Sequence, residues 1–238
     1  MNHYLDFHTH HSEKKEIQKT QSVINIRAFH DEDIIEKITK TNDYFTYGLH
    51  PWDIAGTDNE SQVETYLERL DQLGLHPNFL APGEIGLDRS RKENFQKQKV
   101  LFENLITSQS FKNFPFVILH NVRSSSDILE IIKKNKVTKT FISHDYNGSI
   151  EEMKSLVKSN FSFSFGPKIL TPQTKAFETI KQTPLDRIFF ETDEQTQYSL
   201  SEIYSQASKL LGISLDKLLE QVNRNFESLK TQRKSFDG

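Results

Sequence analysis

The residues best suited to chemistry in this 238-residue chain lie near its start, in Asp6-Phe7-His8-Thr9-His10. Side chains two apart on a β-strand share a face. His8 and His10 would therefore stand together at the end of a first strand, as paired imidazoles for a divalent metal. With nine histidines in the chain the H-x-H spacing is weak by itself; its place at the end of an apolar run gives it weight. Asp6 shares the parity one rung deeper, as a hydrogen-bonded interior carboxylate or as support for a ligating histidine. His11 faces the other way and is not expected to ligate. Ligand-type residues recur where later apolar runs stop: His50 after TYGL, Glu84 after LAPG, His120 after FVIL, His144 after FIS and Asp193 after IFFET. The expected ligands are four imidazoles (His8, His10, His120, His144) and two carboxylates (Glu84, Asp193). Such a mixture suits zinc, manganese, iron or nickel better than an ion that takes only oxygen. Six ligands exceed the roughly three that a catalytic zinc takes while keeping a position open. Two ions sharing a carboxylate fit the number, and against two carboxylates they leave a locally positive site.

The elements that would hold these residues alternate along the chain. Strand-like runs occupy Tyr4–Phe7, Ser22–Ile26, Tyr44–Leu49, Asn78–Ala81, Phe114–Leu119, Thr140–Ser143, Phe161–Phe165 and Arg187–Glu191. Several are almost wholly apolar, as strands buried on both faces should be. Helical spacing falls near residues 31–41, 59–73, 91–111, 124–135, 149–159, 172–183, 197–211 and 214–230. The pattern predicts an α/β fold, a (β/α)8 TIM-like barrel formed as one domain over residues 1–238, with the C-terminal strand ends converging on one mouth. A doubly wound open sheet is the alternative. Between the first two strands, Ser12–Ser22 leaves barely enough chain for a parallel crossover, so the first β/α unit is expected to be shortened.

Composition narrows the function. Hydrophobic residues make up 35%, with 18 Phe and 7 Tyr, enough for a sizeable core, while nine Gly and seven Pro exclude collagen-like and linker-rich chains. Without cysteine there is no disulfide framework, thiolate metal site or thiol nucleophile. Thirty basic against 33 acidic residues leave a net charge of −3, so a polyanionic substrate must be held by a local positive site. No signal-peptide pattern or 18-residue apolar run is present. The expectation is a cytoplasmic protein with no membrane association and no obligate protein partner.

Read in order, DFHTHH, GLHPW, PGEIGLDRS, FVILHNVRS, ISHDYNGS, FSFGP and DRIFFETDE resemble the TatD family of metal-dependent hydrolases, over roughly residues 4–230. Asn94-Phe95-Gln96-Lys97-Gln98 fits the same spacing. The resemblance implies an amidohydrolase-related barrel enzyme that holds two divalent ions (Zn, Mn, Mg, Ni or Fe) on His8, His10, Glu84, His120, His144 and Asp193. It implies Glu84 as the bridging carboxylate. It also implies hydrolysis of a phosphoester by a metal-bound hydroxide, as in a 3′-end deoxyribonuclease acting on DNA or on a small phosphoester. Asp193 would orient the water and accept its proton.

A PHP-type phosphoesterase, another ester or amide hydrolase of the group, and a noncatalytic metal-binding barrel are the alternatives. GEIGLD and ETD argue against the first, and the complete ligand set against the last. The departures from the family pattern touch loops. Glu194-Gln195 follow ETD in place of Ala-Pro, HDYNGS stands for H-x-F-S-G-S, Arg123 lies three rather than two residues past His120, and the helix after the first strand is expected to be missing or minimal. For substrate, His50 is expected to touch a phosphate or a metal-bound water. Asp88 and Arg89 are expected to line the mouth, and Arg123 to hold a phosphate in its fork. Trp52 reads as a loop anchor in preference to a base-stacking ring, and Arg187 as structural. His3, His30, His76 and the Arg233-Lys234 tail are expected to be solvated.

Overall fold

In the computed structural model of the chain, the described residues are 3–10, 20–38, 40–54 and 59–236. His11 and the expected minimal first helix lie outside them. The strands are β1 (Tyr4–Thr9), β2 (Thr20–Arg27), β3 (Tyr44–Gly48), β4 (Phe79–Pro82), β5 (Ile85–Asp88), β6 (Phe116–Val122), β7 (Thr140–Ser143), β8 (Phe161–Phe165) and β9 (Ile188–Phe190). The helices are α1 (Ile35–Ile38), α2 (Asn59–Gly74), α3 (Phe95–Thr107), α4 (Gln109–Lys112), α5 (Ser125–Lys134), α6 (Ile150–Val157), α7 (Lys175–Thr179), α8 (Leu200–Leu211) and α9 (Leu215–Phe236).

All strand pairs are parallel, in two sheets ordered β1-β2-β3-β4 and β5-β6-β7-β8-β9. The predicted eight strands are present, the fourth in two parts. Its first half, β4, pairs with β3, and its second, β5, pairs with β6 across the interruption at Gly83-Glu84. At the far edges the sheets meet through a parallel bridge between Thr9 and Asp193. Asp193 N–H donates to the His8 carbonyl at 2.9 Å, and His10 N–H to the Asp193 carbonyl at 3.3 Å. The result is a TIM-barrel-like α/β fold with two seams, one at Gly83-Glu84 and one at Thr9–Asp193.

The sequence explains the elements locally. The FVIL, TFIS and FSFSF runs of β6, β7 and β8 are buried over Phe116–His120 and throughout the other two strands. Helix α5 turns Ile128, Ile131 and Ile132 inward, the spacing of an apolar helical stripe. Ser149 and Ser199 begin α6 and α8 with reciprocal capping boxes to Glu152 and Glu202, satisfying N–H groups that a helix start leaves orphaned. Aromatic rings fill much of the core: Phe7 stacks on Phe189 at 4.1 Å, and Phe141 on Phe161 at 5.2 Å. Fully burying each such ring contributes about 1.5–3 kcal/mol.

Two glycines set the approach of the chain around Glu84. A Cβ on Gly48 would overlap the Glu84 backbone, and one on Gly86, at φ +144°, would overlap the His120 carbonyl. Among the described residues no helix is long and apolar enough to cross a membrane.

Candidate metal centre

Glu84 sits in the seam between β4 and β5 and is 3% exposed. Asn25, an interior polar residue of β2, holds it. The Glu84 N–H donates to Asn25 Oδ1 at 3.0 Å, Asn25 Nδ2 donates to Glu84 Oε2 at 3.4 Å, and Thr46 Oγ1 fixes Asn25 Oδ1 at 3.0 Å. The two carboxylate oxygens then face different neighbours. Oε1 lies 2.5 Å from His144 Nε2, in closer contact still with His120 Nδ1, and 3.4 Å from His50 Nε2. Oε2 lies 3.7 Å from His8 Nε2. Beyond His8 stand Asp193, with Oδ1 3.8 Å away, and His10, whose Nε2 is 3.5 Å from the same oxygen.

Among the described residues, ligand atoms lying within 4.8 Å of one another form four triads: His8–Glu84–His144, His8–His10–Asp193, His50–Glu84–His120 and His144–Glu191–Asp193. Shared members join them into one cluster at the C-terminal ends of β1, β3, β6 and β7, at the β4–β5 seam and just past β9. All six residues expected as ligands are in it. His50 and Glu191 join them.

Two of the histidines are backed by carboxylates. His120 faces Asp88 Oδ2 through Nε2 at 3.4 Å, and His144 faces Glu191 Oε1 through Nδ1 at 3.4 Å. Asp88 is itself held by Trp52 Nε1 at 2.7 Å and by the Ser90 N–H and hydroxyl at 2.8 and 2.6 Å. Glu191 accepts from the Asp145 N–H at 2.6 Å and is fully buried.

Burial alone would raise Glu84, but the charges and hydrogen bonds of His144 and His120 hold its carboxyl well below the usual range. Burial would likewise raise Asp193; the His10 hydrogen bond and the charges of His144 and His8 hold it low. Against the pull of burial, Glu84 raises both His120 and His144, with help from Asp88 at the first and Glu191 at the second. His8 goes the other way, to about 3, through burial and its neighbour His144. His8 is thus a neutral imidazole with no exposure, and neither ring nitrogen has a hydrogen-bond partner. A buried polar ring without partners is costly in a closed core. A neutral imidazole beside carboxylates is also what a divalent cation takes as a ligand. The donor set and the orphaned His8 nitrogens therefore fit a divalent metal.

The family model described as TatD related DNase matches residues 5–230. The chain belongs to this family. A relative from Bacillus subtilis (strain 168), named "Uncharacterized metal-dependent hydrolase YabD", is 33% identical over 153 residues, or 63% of this chain. The chain spans 58% of that relative's length. The human "3'-5' RNA nuclease TATDN2" is 36% identical over 161 residues, 62% of this chain and 19% of that protein. The solved structure of YJJV, a TatD homologue from Escherichia coli K12, superposes with a TM-score of 0.81 at 20% identity, covering 95% of this chain and 97% of that one. That likeness is one of fold.

The remaining expected residues fall elsewhere. Asp88 is 1% exposed and lies behind His120, its oxygens occupied by Trp52, Ser90 and that ring, rather than on the mouth. Arg89 is ion-paired with Asp127, stacks on Phe95 and donates to the Arg123 carbonyl. Arg123 is exposed just past β6, with φ +54°. Asp6 turns to Thr192, whose N–H and hydroxyl bind it at 2.9 and 2.7 Å; it fixes the turn carrying Asp193, while burial pushes its carboxyl up to about 7.

Arg187 binds Asn160 at 2.9 Å, a structural contact. His76 accepts from the Asn78 N–H, and His3 contacts Gln21. His30, though half exposed, lies 3.3 Å from Asp53. The sequence reading missed Glu191 and Asn25 as supports. Each is a polar residue at a buried position of an apolar run, and that was the available signal.

Proposed function

We propose that residues 1–238 form a single hydrolase barrel that cleaves phosphoester bonds at the 3′ end of a nucleic acid, with two divalent ions on either side of Glu84. The observation that carries the reading is the division of the Glu84 carboxylate, with Oε1 toward His120 and His144 and Oε2 toward His8. His8, His10 and Asp193 would hold one ion, His120 and His144 the other, and Glu84 both. Bound divalent ions polarise phosphoryl oxygens and lower the pKa of water.

The chain's own residues do the rest. Asp193 and His10 are the more exposed ligands, with 23% and 17% of their side chains open, against none for His8 and 3% for Glu84. Asp193 stays ionised, and we read it as the group that would orient an attacking water and take its proton. His50 faces Glu84 Oε1, and its Nδ1 accepts the Trp52 N–H at 3.1 Å, which fixes the ring. Arg123 is exposed past the end of β6, and we read it as the residue that would meet a phosphate. A nucleic-acid substrate also accords with the family description and with the RNA nuclease named among the relatives.

The test is digestion of end-labelled DNA and RNA oligonucleotides, with a small aryl phosphodiester alongside, under Mg²⁺, Mn²⁺ and Zn²⁺ in turn. Stepwise shortening from the 3′ end, abolished by chelation and restored by metal, is the expected result. Full activity after exhaustive chelation, or no cleavage with any of the three ions, would sink the proposal.

A further inference from the structure

We infer that Phe29 and Trp52 form a subsite that stacks one nucleobase of the substrate, beside the ligand cluster; the inference rests on the nuclease reading above. Among the described residues the exposed large hydrophobics are few, and two of them, Phe29 at 44% and Trp52 at 46%, line the same cavity. It holds about 340 Å³ and opens where β2 and β3 end, with His30, Asp53 and Ser61, Gln62 and Thr65 of α2 as its other walls. That volume lies at the low end for ligand pockets, about 300–1,000 Å³, and suits a single ring system rather than a duplex.

The cavity is fastened to the chemistry. The Trp52 ring packs edge-on against His50 at 4.9 Å and His120 at 5.8 Å. Its Nε1 donates to Asp88, the carboxylate behind His120. Only the thickness of His50 and His120 separates the indole from Glu84. Arg91 covers part of the indole at 4.7 Å but does not line the cavity, so the cavity meets Trp52 away from the guanidinium.

The charges at this place cancel, because Arg27 donates to Asp53 through Nε at 3.2 Å and through a second nitrogen, and His30 joins the same carboxylate. A phosphate gains little there. A flat ring gains stacking on the two exposed aromatic side chains. Phe29 has φ +68°, outside the ordinary range for a bulky residue. Its turn is tied down by the Ala28 N–H donating to the Gly48 carbonyl at 2.9 Å.

Trp52 is the single tryptophan of the chain, so its fluorescence reports the subsite directly. Emission is followed, in chelator, while deoxyadenosine monophosphate, deoxyribose 5-phosphate or inorganic phosphate is added. The nucleotide should quench saturably and the two base-free compounds should not. Phe29→Ala should weaken nucleotide binding by about 5- to 150-fold, the range that alanine substitution gives for a stacked base, while Phe29→Tyr should keep it. No base-dependent quench, or a Phe29→Ala titration matching wild type, overturns the subsite. Oligonucleotide cleavage without any such quench would remove the subsite and leave the hydrolase standing. A base-dependent, Phe29-dependent quench in a protein that cleaves nothing would keep the subsite and remove the nuclease reading.

Discussion

The two ends of the strands treat buried polar groups in opposite ways. At the carboxyl ends, charged side chains face one another: Glu84 is surrounded by imidazoles, and His8 has no hydrogen-bond partner for either ring nitrogen. At the amino ends, side chains are spent on backbone. Asn225 of α9 donates to the carbonyls of Leu185 and Ile188 at 2.8 and 3.0 Å, Asn223 to that of His3 at 2.8 Å, and Lys139 to that of Phe114. Asp43 accepts the Ser22 N–H at 2.9 Å. One end gathers buried charges and an imidazole without partners where a cation would fit; the other closes its loops against the sheet. Substitutions at the first should therefore change chemistry more than stability, and at the second the reverse.

The largest effect should come from Asp193→Asn. The amide keeps the shape and one oxygen but cannot take a proton. Turnover should fall by about 10²–10⁴, the span of a positioned acid–base group, with thermal stability close to wild type. Unchanged kcat under saturating metal would take Asp193 out of the reaction and blur the contrast between the two ends.

A smaller effect is expected one layer out. Glu191→Gln and Asp88→Asn each weaken the carboxylate behind one histidine, and loss of such support typically costs about 10–100-fold in metal affinity. Titration of the stripped variants with Zn²⁺ or Mn²⁺ should show a loss in each. Affinities equal to wild type in both would make these carboxylates mere fillers of the core.

The smallest effect belongs to the opposite end. Burial pushes the Lys139 ammonium down to about 8, from an ordinary 10.5. Because the folded value is the lower one, the unfolded chain binds more protons between these limits, and stability should rise with pH across that window. The group is only partly buried, so the gain is held to about 1 kcal/mol or less after solvent screening. Urea midpoints for wild type and Lys139→Met should therefore diverge, in favour of wild type, from pH 8 to 10.5, with catalysis unaffected. A constant difference across that range would contradict the assignment.

Much of this was legible in the residues, for a physical reason. A strand buried on both faces must be a run of apolar side chains, so a histidine or carboxylate where the run stops is conspicuous, as in FVIL before His120 and FIS before His144. The starts and ends of most strands follow to within a few residues. Less legible was the fourth strand. Its second half, Ile85–Asp88, is four residues containing a glycine, too short to register as a strand, although Pro82-Gly83 marked the interruption. Glu191 was hidden at the end of an apolar run, one step inside the more obvious Asp193. Asp88 reads as a mouth residue because it follows Glu84 closely, and closeness in sequence does not say whether Trp52 and Ser90 will close over it.

The two seams have a mechanical consequence. One runs through Glu84, the other through the Thr9–Asp193 bridge, and His8, His10 and Asp193 lie on the second. The half-shells β1–β4 and β5–β9 meet at the mouth through the short Thr9–Asp193 backbone bridge and through the side chains gathered around Glu84. A cation there would act as a rivet between them. Its binding energy would be drawn into holding the shell shut, adding about 2.7 kcal/mol of stability at a hundred times its dissociation constant. The reagent that makes such a barrel reactive would also be the one that keeps it round.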